Sequence, residues 1–302
     1  MIYEVIATNP KNETLHMLLT RPDISGVNVK KITGISPIGA DIYTTPFGVV
    51  DGGLFSGARV PEREIVMTLG MMFVPMIEDS RRIIYNFFRI KDKVNLFFRT
   101  DTRYIQINGW VKDVEVDIFT KSEEAIITIV CVDPWFYSAN KKATGFHGVR
   151  QLFTFPFSND SLTEKLLVFG EISIDTRYFI EYGGDISVGF DMTLSFRTGN
   201  LHNVYLYNMD TRERMNIYTD QIESLTGTPL EAGDEIAIST RTGSRSAYLI
   251  RDGIGINAIS IVGKNSDWFQ LSKGTNVFAF ASDYGAENID ISMTYQDAYA
   301  GI

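Results

Sequence analysis

The chain has 302 residues, 44% apolar and 22% charged, which is long for one hydrophobic core and comfortable for two. Its net charge of −9 argues against a phosphate-binding surface as the main function, because affinity for nucleic acid rests on an excess of cations. A lone Cys131 excludes a disulfide framework within the chain, and no apolar run approaches the roughly 18 residues of a membrane span.

Strand formers are abundant, with 20 Phe, 14 Tyr and frequent Ile and Val, and 25 Gly mark turns. Met1-Ile2-Tyr3-Glu4 has no basic region ahead of an apolar core, so no secretory signal is expected. Ile2 to Ala7 reads as an opening strand, and Lys30 to Ile35 as another, ended by Ser36-Pro37. Between Ile38 and Pro61 the character changes. Gly39, Gly48, Gly52, Gly53 and Gly57, with Pro46 and Pro61, prevent a long regular element. Yet Ile42, Tyr43, Phe47, Val49, Val50, Leu54 and Phe55 are too apolar for a solvated loop. Such an arm lies either on a neighbouring subunit or, as a hairpin pair, on its own domain.

Arg63 to Met72 resumes strand character. Met76 to Ile90 is the one convincing helix: Met76, Ile77, Ile83, Ile84, Phe87 and Phe88 form an apolar stripe expected to face the core. Glu78 and Asp79 in its first turn and Arg89, Lys91 and Lys93 at its end suit the helix dipole. Strands follow at Val94 to Arg99 and Tyr104 to Ile107, around the polar turn Thr100-Asp101-Thr102. In the next strand Val114, Val116 and Ile118 alternate with Asp113, Glu115 and Asp117, predicting one buried and one strongly acidic face. Lys121 to Glu124 turns into Ile126 to Val132, a nearly continuous β-branched run of the kind buried on both faces. Asp133-Pro134 stops that run, and Trp135, Phe136 and Tyr137 pin the exit from the first domain. Ser138 to Gly145 has the composition of a linker.

From Gln151 onward short apolar segments recur at the spacing of a β-sandwich: Glu171–Ile174, Tyr178–Tyr182, Phe190–Phe196, Asn203–Asn208, Glu213–Tyr218, Glu235–Thr240, Ser246–Arg251, Val277–Ala281 and Asn288–Tyr295. Turns are expected at Met209 to Arg212, Leu230 to Asp234 and Asp283 to Ala286. The segment Asp267 to Leu271 is expected to cap one end of the sandwich with Trp268 and Leu271.

Chemistry is nearly silent. His16, His147 and His202 lie far apart, and the Cys/His spacings of zinc sites are absent. No Gly-x-Ser-x-Gly elbow, P-loop or dinucleotide fingerprint occurs, so no catalytic, metal or cofactor residue is assigned. Trp268 and exposed tyrosines are candidates for stacking on sugar rings, against the plainer role of Trp268 as filler of a sandwich end. His202-Asn203 begins like a lectin site, but the residues after it do not continue one.

The order of motifs resembles the distal tail protein, or Dit, family of long-tailed bacteriophages. In the first half the likeness rests on Gly34-Ile35 with Pro37, Asp51-Gly52 in the arm, Arg63, Tyr85-Asn86-Phe87-Phe88, and Cys131-Val132-Asp133-Pro134-Trp135-Phe136. In the second half it rests on Tyr182 with Gly184-Asp185 and Gly189, and on Leu230-x-x-Gly233-Asp234-x-Ile236-x-Ile238-x-Thr240. Ser266-x-Trp268-x-x-Leu271-x-x-Gly274-x-Asn276 and Tyr295-x-x-x-Tyr299-x-Gly301-Ile302 complete it.

The resemblance implies a mainly β chain: a ring-forming, tail-tube-like domain with one α-helix over residues 1–138, a linker at 139–150, and a galectin-like β-sandwich over 151–302. It implies a non-enzymatic component of the virion at the distal end of the tail, assembled in the bacterial cytoplasm. Its partners would be further copies of itself in a hexameric ring, the tail tube protein, the tip or hub protein, and receptor-binding or other baseplate proteins, with no membrane insertion. The arm, with Tyr43, Phe47, Val49, Leu54 and Phe55, would reach the adjacent protomer. DNA would pass through the central channel without specific binding, and Asp113, Glu115 and Asp117 are the candidates for its lining. The competing reading is a tail-associated carbohydrate-binding module that contacts the host cell wall; a wall hydrolase comes third.

Overall fold

A computed structural model of the chain describes residues 1–71, 76–118, 123–146, 149–151, 170–172 and 177–302. The chain divides into two units, one of Met1–Asn140 with Ala298–Ile302, the other of Lys141–Asp297. Both are mainly β, and each encloses its own apolar core.

The first unit contains β1 (Ile2–Thr8), β2 (Thr14–Leu18), the single turn α1 (Pro22–Ser25), β3 (Val27–Thr33), β4 (Asp41–Pro46), β5 (Gly53–Arg59), β6 (Arg63–Met71), α2 (Ile77–Phe87), β7 (Lys93–Thr100), β8 (Tyr104–Asp117), β9 (Glu124–Cys131) and β10 (Phe136–Ser138). An antiparallel sheet runs in the order β2-β1-β7-β8-β9-β6-β3, and β10 adds to β8. Alternate residues bury one face: Val5, Ala7, Leu96, Phe98, Ile105, Ile107, Ile127, Ile129, Ile65 and Met67 all enter one core, as a period of two requires. Helix α2 adds Ile84 and Phe87 to it.

Several expectations shift. The helix is shorter than its apolar stripe, because Met76 is extended (φ −141°, ψ 146°) and the chain leaves helical geometry at Phe88. Met76 and Ile83 are exposed, and Ile84, Phe87 and Phe88 carry the burial. Tyr104–Asp117 is one strand where two were expected, because Gly109 marks no turn. A Cβ there would lie 2.5 Å from Cγ2 of Ile129 and 2.8 Å from the Cys131 sulfur, so the glycine serves a close approach. The β-branched run in β9 buries one face; on the other, Ile126 is 39% exposed. Strand β2 was not predicted, and Met72 lies outside the described residues.

The second unit contains β11 (Lys142–Phe146), β12 (Val149–Gln151), β13 (Gly170–Ile172), β14 (Arg177–Tyr182), β15 (Asp191–Phe196), β16 (His202–Asn208), β17 (Arg214–Ile217), the short helix α3 (Ile222–Thr226), β18 (Glu235–Ser239), β19 (Ser246–Arg251), β20 (Ile254–Asn257), β21 (Gly274–Tyr284) and β22 (Ile289–Tyr295). Two sheets, β11-β22-β15-β18-β19-β20 and β14-β21-β16-β17, contribute Leu194, Ile236, Leu249, Val204, Leu206 and Phe280 to the second core. The expected strand at 171–174 extends beyond the described residues.

The boundary between the units differs from the sequence expectation. Lys142–Phe146, inside the expected linker, pairs with β22, so polar composition did not mean absence of structure. Residues 298–302, expected in the sandwich, belong to the first unit, where β23 (Ala298–Tyr299) pairs with β10. The chain therefore crosses between the units twice.

The turn at Leu230 to Asp234 carries a titratable tie. Asp234 is 2% exposed and accepts from Arg251 Nε at 2.8 Å, Arg251 Nη2 at 2.5 Å and the Glu231 amide at 2.9 Å. Burial pushes its pKa up, but the guanidinium and the amide outweigh burial and hold it below the ordinary value. A carboxylate with a lowered folded-state pKa stabilises fully above about pH 4, and loses that contribution as pH falls through the lowered value. Asp234→Asn should therefore cost the second unit about 3 kcal/mol at pH 7 and much less at pH 2, as measured by thermal denaturation at both pH values.

Candidate functional site

Among the described residues, strands β4 and β5 pair only with each other. Their register places Ile42 opposite Ala58 and Thr44 opposite Phe55 on one side of the ribbon. Tyr43 opposite Gly57 and Thr45 opposite Leu54 lie on the other. Both sides are therefore apolar, and Ile42, Tyr43, Phe47, Val50, Leu54 and Phe55 are all about half exposed or more, with Val49 fully so. The predicted arm is thus a hairpin, and its side chains do not rest on the sheet of the first unit. A two-stranded ribbon is marginal by itself in water. Thr45 and Ser56 share a hydroxyl hydrogen bond of 2.9 Å, and Asp41 and Arg59 form an exposed ion pair at 3.3 Å, neither of which buries apolar area.

The arm springs from a rigid root. Arg63, the first residue of β6, is 1% exposed. Its guanidinium donates from Nε to the Pro134 carbonyl (2.6 Å), from Nη1 to those of Gly34 (2.6 Å) and Ser36 (2.7 Å), and from Nη2 to that of Ala300 (2.6 Å). It also lies 4.7 Å over the Phe136 ring. Burial pulls its pKa below the ordinary guanidinium value, although an arginine so far above neutrality stays charged. Gly34 takes φ +81°, and a Cβ there would meet the Glu64 carbonyl, so only glycine gives the turn that aims both carbonyls at Arg63. Next to it Cys131 is buried, and desolvation pushes its thiol pKa up to about 12, which leaves a small apolar filler with no nucleophilic use.

The acidic alternation in β8 is present. Val114 and Val116 pack toward the core, while Asp113, Glu115 and Asp117 stand on the opposite face, across from Thr128, Ile126 and Glu124. Glu115 and Asp117 are exposed and Asp113 is half-buried, its carboxylate accepting from the Val114 amide at 2.8 Å. The face is not uniformly acidic: Lys30 pairs with Glu124 at 2.6 Å and Lys112 with Glu64 at 2.8 Å.

Trp268 is partly buried against the second core, with the Arg245 guanidinium 5.7 Å from its ring centre. Its neighbours Phe269 and Leu271 are fully buried and are the main fillers of that end. His202 bonds Asp220 at 2.7 Å beside Asn203, whose side chain reaches Asp283 at 2.8 Å. Among the described residues no cluster of three His, Cys, Asp or Glu is arranged to hold a metal ion. Among them also, no helix is long and apolar enough to cross a membrane. The arm is visible in the residues, but the convergence of Gly34, Ser36, Arg63, Pro134 and Ala300 is not; its one signal is an arginine at a position whose alternates, Ile65, Met67 and Leu69, are core.

No protein-family model matches the chain, and no curated protein sequence matches it. Among solved structures, the crystal structure of the SPP1 Dit (gp 19.1) protein, a hub adsorption apparatus of phages infecting Gram-positive hosts, superposes with a TM-score of 0.65. The two are 12% identical, and the match covers 97% of this chain and 98% of that one. Two structures of the phage P2 baseplate in its activated conformation, with Ca and with Sr, match at TM-scores of 0.48 and 0.47, each at 12% identity and over 97% of this chain. The chain has the fold of SPP1 Dit over nearly its whole length.

Proposed function

We propose that the chain is a distal tail protein: a structural, non-catalytic component of a bacteriophage baseplate that closes into a ring, hexameric in the family it resembles. The observation that carries this reading is the arm, a ribbon apolar on both sides that the described residues of its own chain leave uncovered. Burial of its side chains needs a second body, and a copy of the same chain supplies one. A contact of this kind is heterologous, so repetition by rotation either closes a ring or runs on as a fibre. The full-length likeness to SPP1 Dit favours closure at the tail tip. The ring would join the tail tube to the tip or hub protein, and the second unit would be the platform for receptor-binding or other baseplate proteins. The half-buried Trp268, with a guanidinium over its ring, gives the carbohydrate reading little free aromatic surface.

The triple substitution Tyr43→Ser, Leu54→Ser, Phe55→Ser removes apolar area from both sides of the arm without touching either core. Light scattering should show the ring mass fall to that of the monomer, with the far-UV circular dichroism at 25 °C unchanged. A variant that keeps the wild-type mass overturns the assignment of the arm.

We further propose that Asp113, Glu115 and Asp117 contribute to the wall of the DNA channel. Carboxylates repel phosphates, whereas cations repeated around a ring would hold them by counterion release and slow the genome's passage. Replacing all three by Lys should leave virions that form and adsorb but eject DNA slowly, and should give the isolated ring salt-sensitive DNA binding. Normal ejection and no DNA affinity would place this face outside the channel.

A further inference from the structure

Residues 298–302 enter the first unit beside the base of the arm. Ala298 and Tyr299 pair with Tyr137 and Phe136, and Arg103 lies 4.3 Å over the Tyr299 ring. The Ala300 carbonyl takes Nη2 of Arg63, and the Ile302 amide donates to the Ile35 carbonyl at 3.1 Å. At Gly301 a Cβ would lie 2.8 Å from both N and Cδ of Pro37, so the two backbones are in direct contact. Every one of these latter contacts falls on 35–37 or on the arginine that holds Gly34 and Ser36. Four residues later β4 begins.

We infer that residues 298–302 are a latch on the root of the arm, and that the arm is set for assembly only after the chain has returned from the second unit. Sequence order gives the device its sense. Residues 1–140 are synthesised first and carry an exposed ribbon with apolar side chains on both sides. Until residues 298–302 arrive, Arg63 lacks the acceptor for Nη2, the Ile35 carbonyl lacks the Ile302 amide, and Pro37 lacks its contact with Gly301. A loose root leaves the ribbon without a fixed direction, and copies whose second unit is unfinished do not enter a ring.

The consequence for assembly rests on the ring reading above; the latch itself does not, and the two are measured separately. Hydrogen exchange is followed in the full chain, in Gly301→Val, and in a chain stopped after Asp297 with and without a free peptide of residues 295–302. Exchange at 35–46 should become about tenfold faster in both variants, with 105–111 and 127–129 unchanged, and the peptide should reverse the effect in the shortened chain. Light scattering should show loss of the ring mass in parallel. Unchanged exchange at 35–46 in both variants overturns the latch. Equal acceleration throughout the first unit overturns it too, because residues 298–302 would then be core rather than latch. If the full chain is monomeric, the ring reading fails while the exchange result still decides the latch.

Discussion

A buried guanidinium whose charge is answered by four backbone carbonyls is the constraint on which the first unit depends. Hydrogen bonds to a charged group contribute about 1.5–3 kcal/mol each, while a buried cation left short of acceptors costs several kcal/mol. Gly34, Ser36 and Pro134 answer most of that charge from within residues 1–140, and Ala300 adds the fourth acceptor. They come from sequence positions 27, 29, 71 and 237 residues away. One side chain thus fixes where the arm departs, where β9 hands the chain toward the second unit, and where residues 298–302 come back.

That concentration gives physical meaning to the scattered likenesses in the sequence. Gly34, Pro37, Arg63, Pro134, Phe136 and Gly301 look independent along the chain, yet they meet at or beside one cation. The arm is the opposite kind of element: among the described residues its strands pair only with each other. A fixed root with an uncovered apolar ribbon is the construction expected of a subunit that completes its fold on a neighbour. The acidic side of β8 and the second unit's sandwich add a wall and a platform to the same proposal.

Much of the fold was legible because burial imposes period. The alternation of Val114 and Val116 with acids, the stop at Asp133-Pro134, and the short segments of the sandwich follow from local rules. Ser246–Arg251 falls where its residues place it. What was illegible depended on tertiary partners. Nothing local distinguishes Ala298-Tyr299 from the strand before it, and only pairing with β10 assigns it to the other unit. Lys142–Phe146 looks like a linker and becomes a strand because β22 offers it an edge. Met76 continues an apolar stripe but lies outside the core, since the helix begins one residue after it, and Ile83 stands at the edge of the face that buries Ser80, Ile84 and Phe87. The arm's chemistry was plain in the residues; its standing free of its own sheet was not.

The measurement that bears most directly on this account is the unfolding free energy of the first unit in Arg63→Met, read by urea denaturation with hydrogen exchange assigned to each unit. Met fills much of the volume but removes the charged donor from the carbonyls of Gly34, Ser36, Pro134 and Ala300. The account predicts a loss of about 2 kcal/mol or more in the first unit, and none in the second. A first unit that keeps its stability to within about 0.5 kcal/mol would contradict it, because the carbonyls would then have no need of the guanidinium.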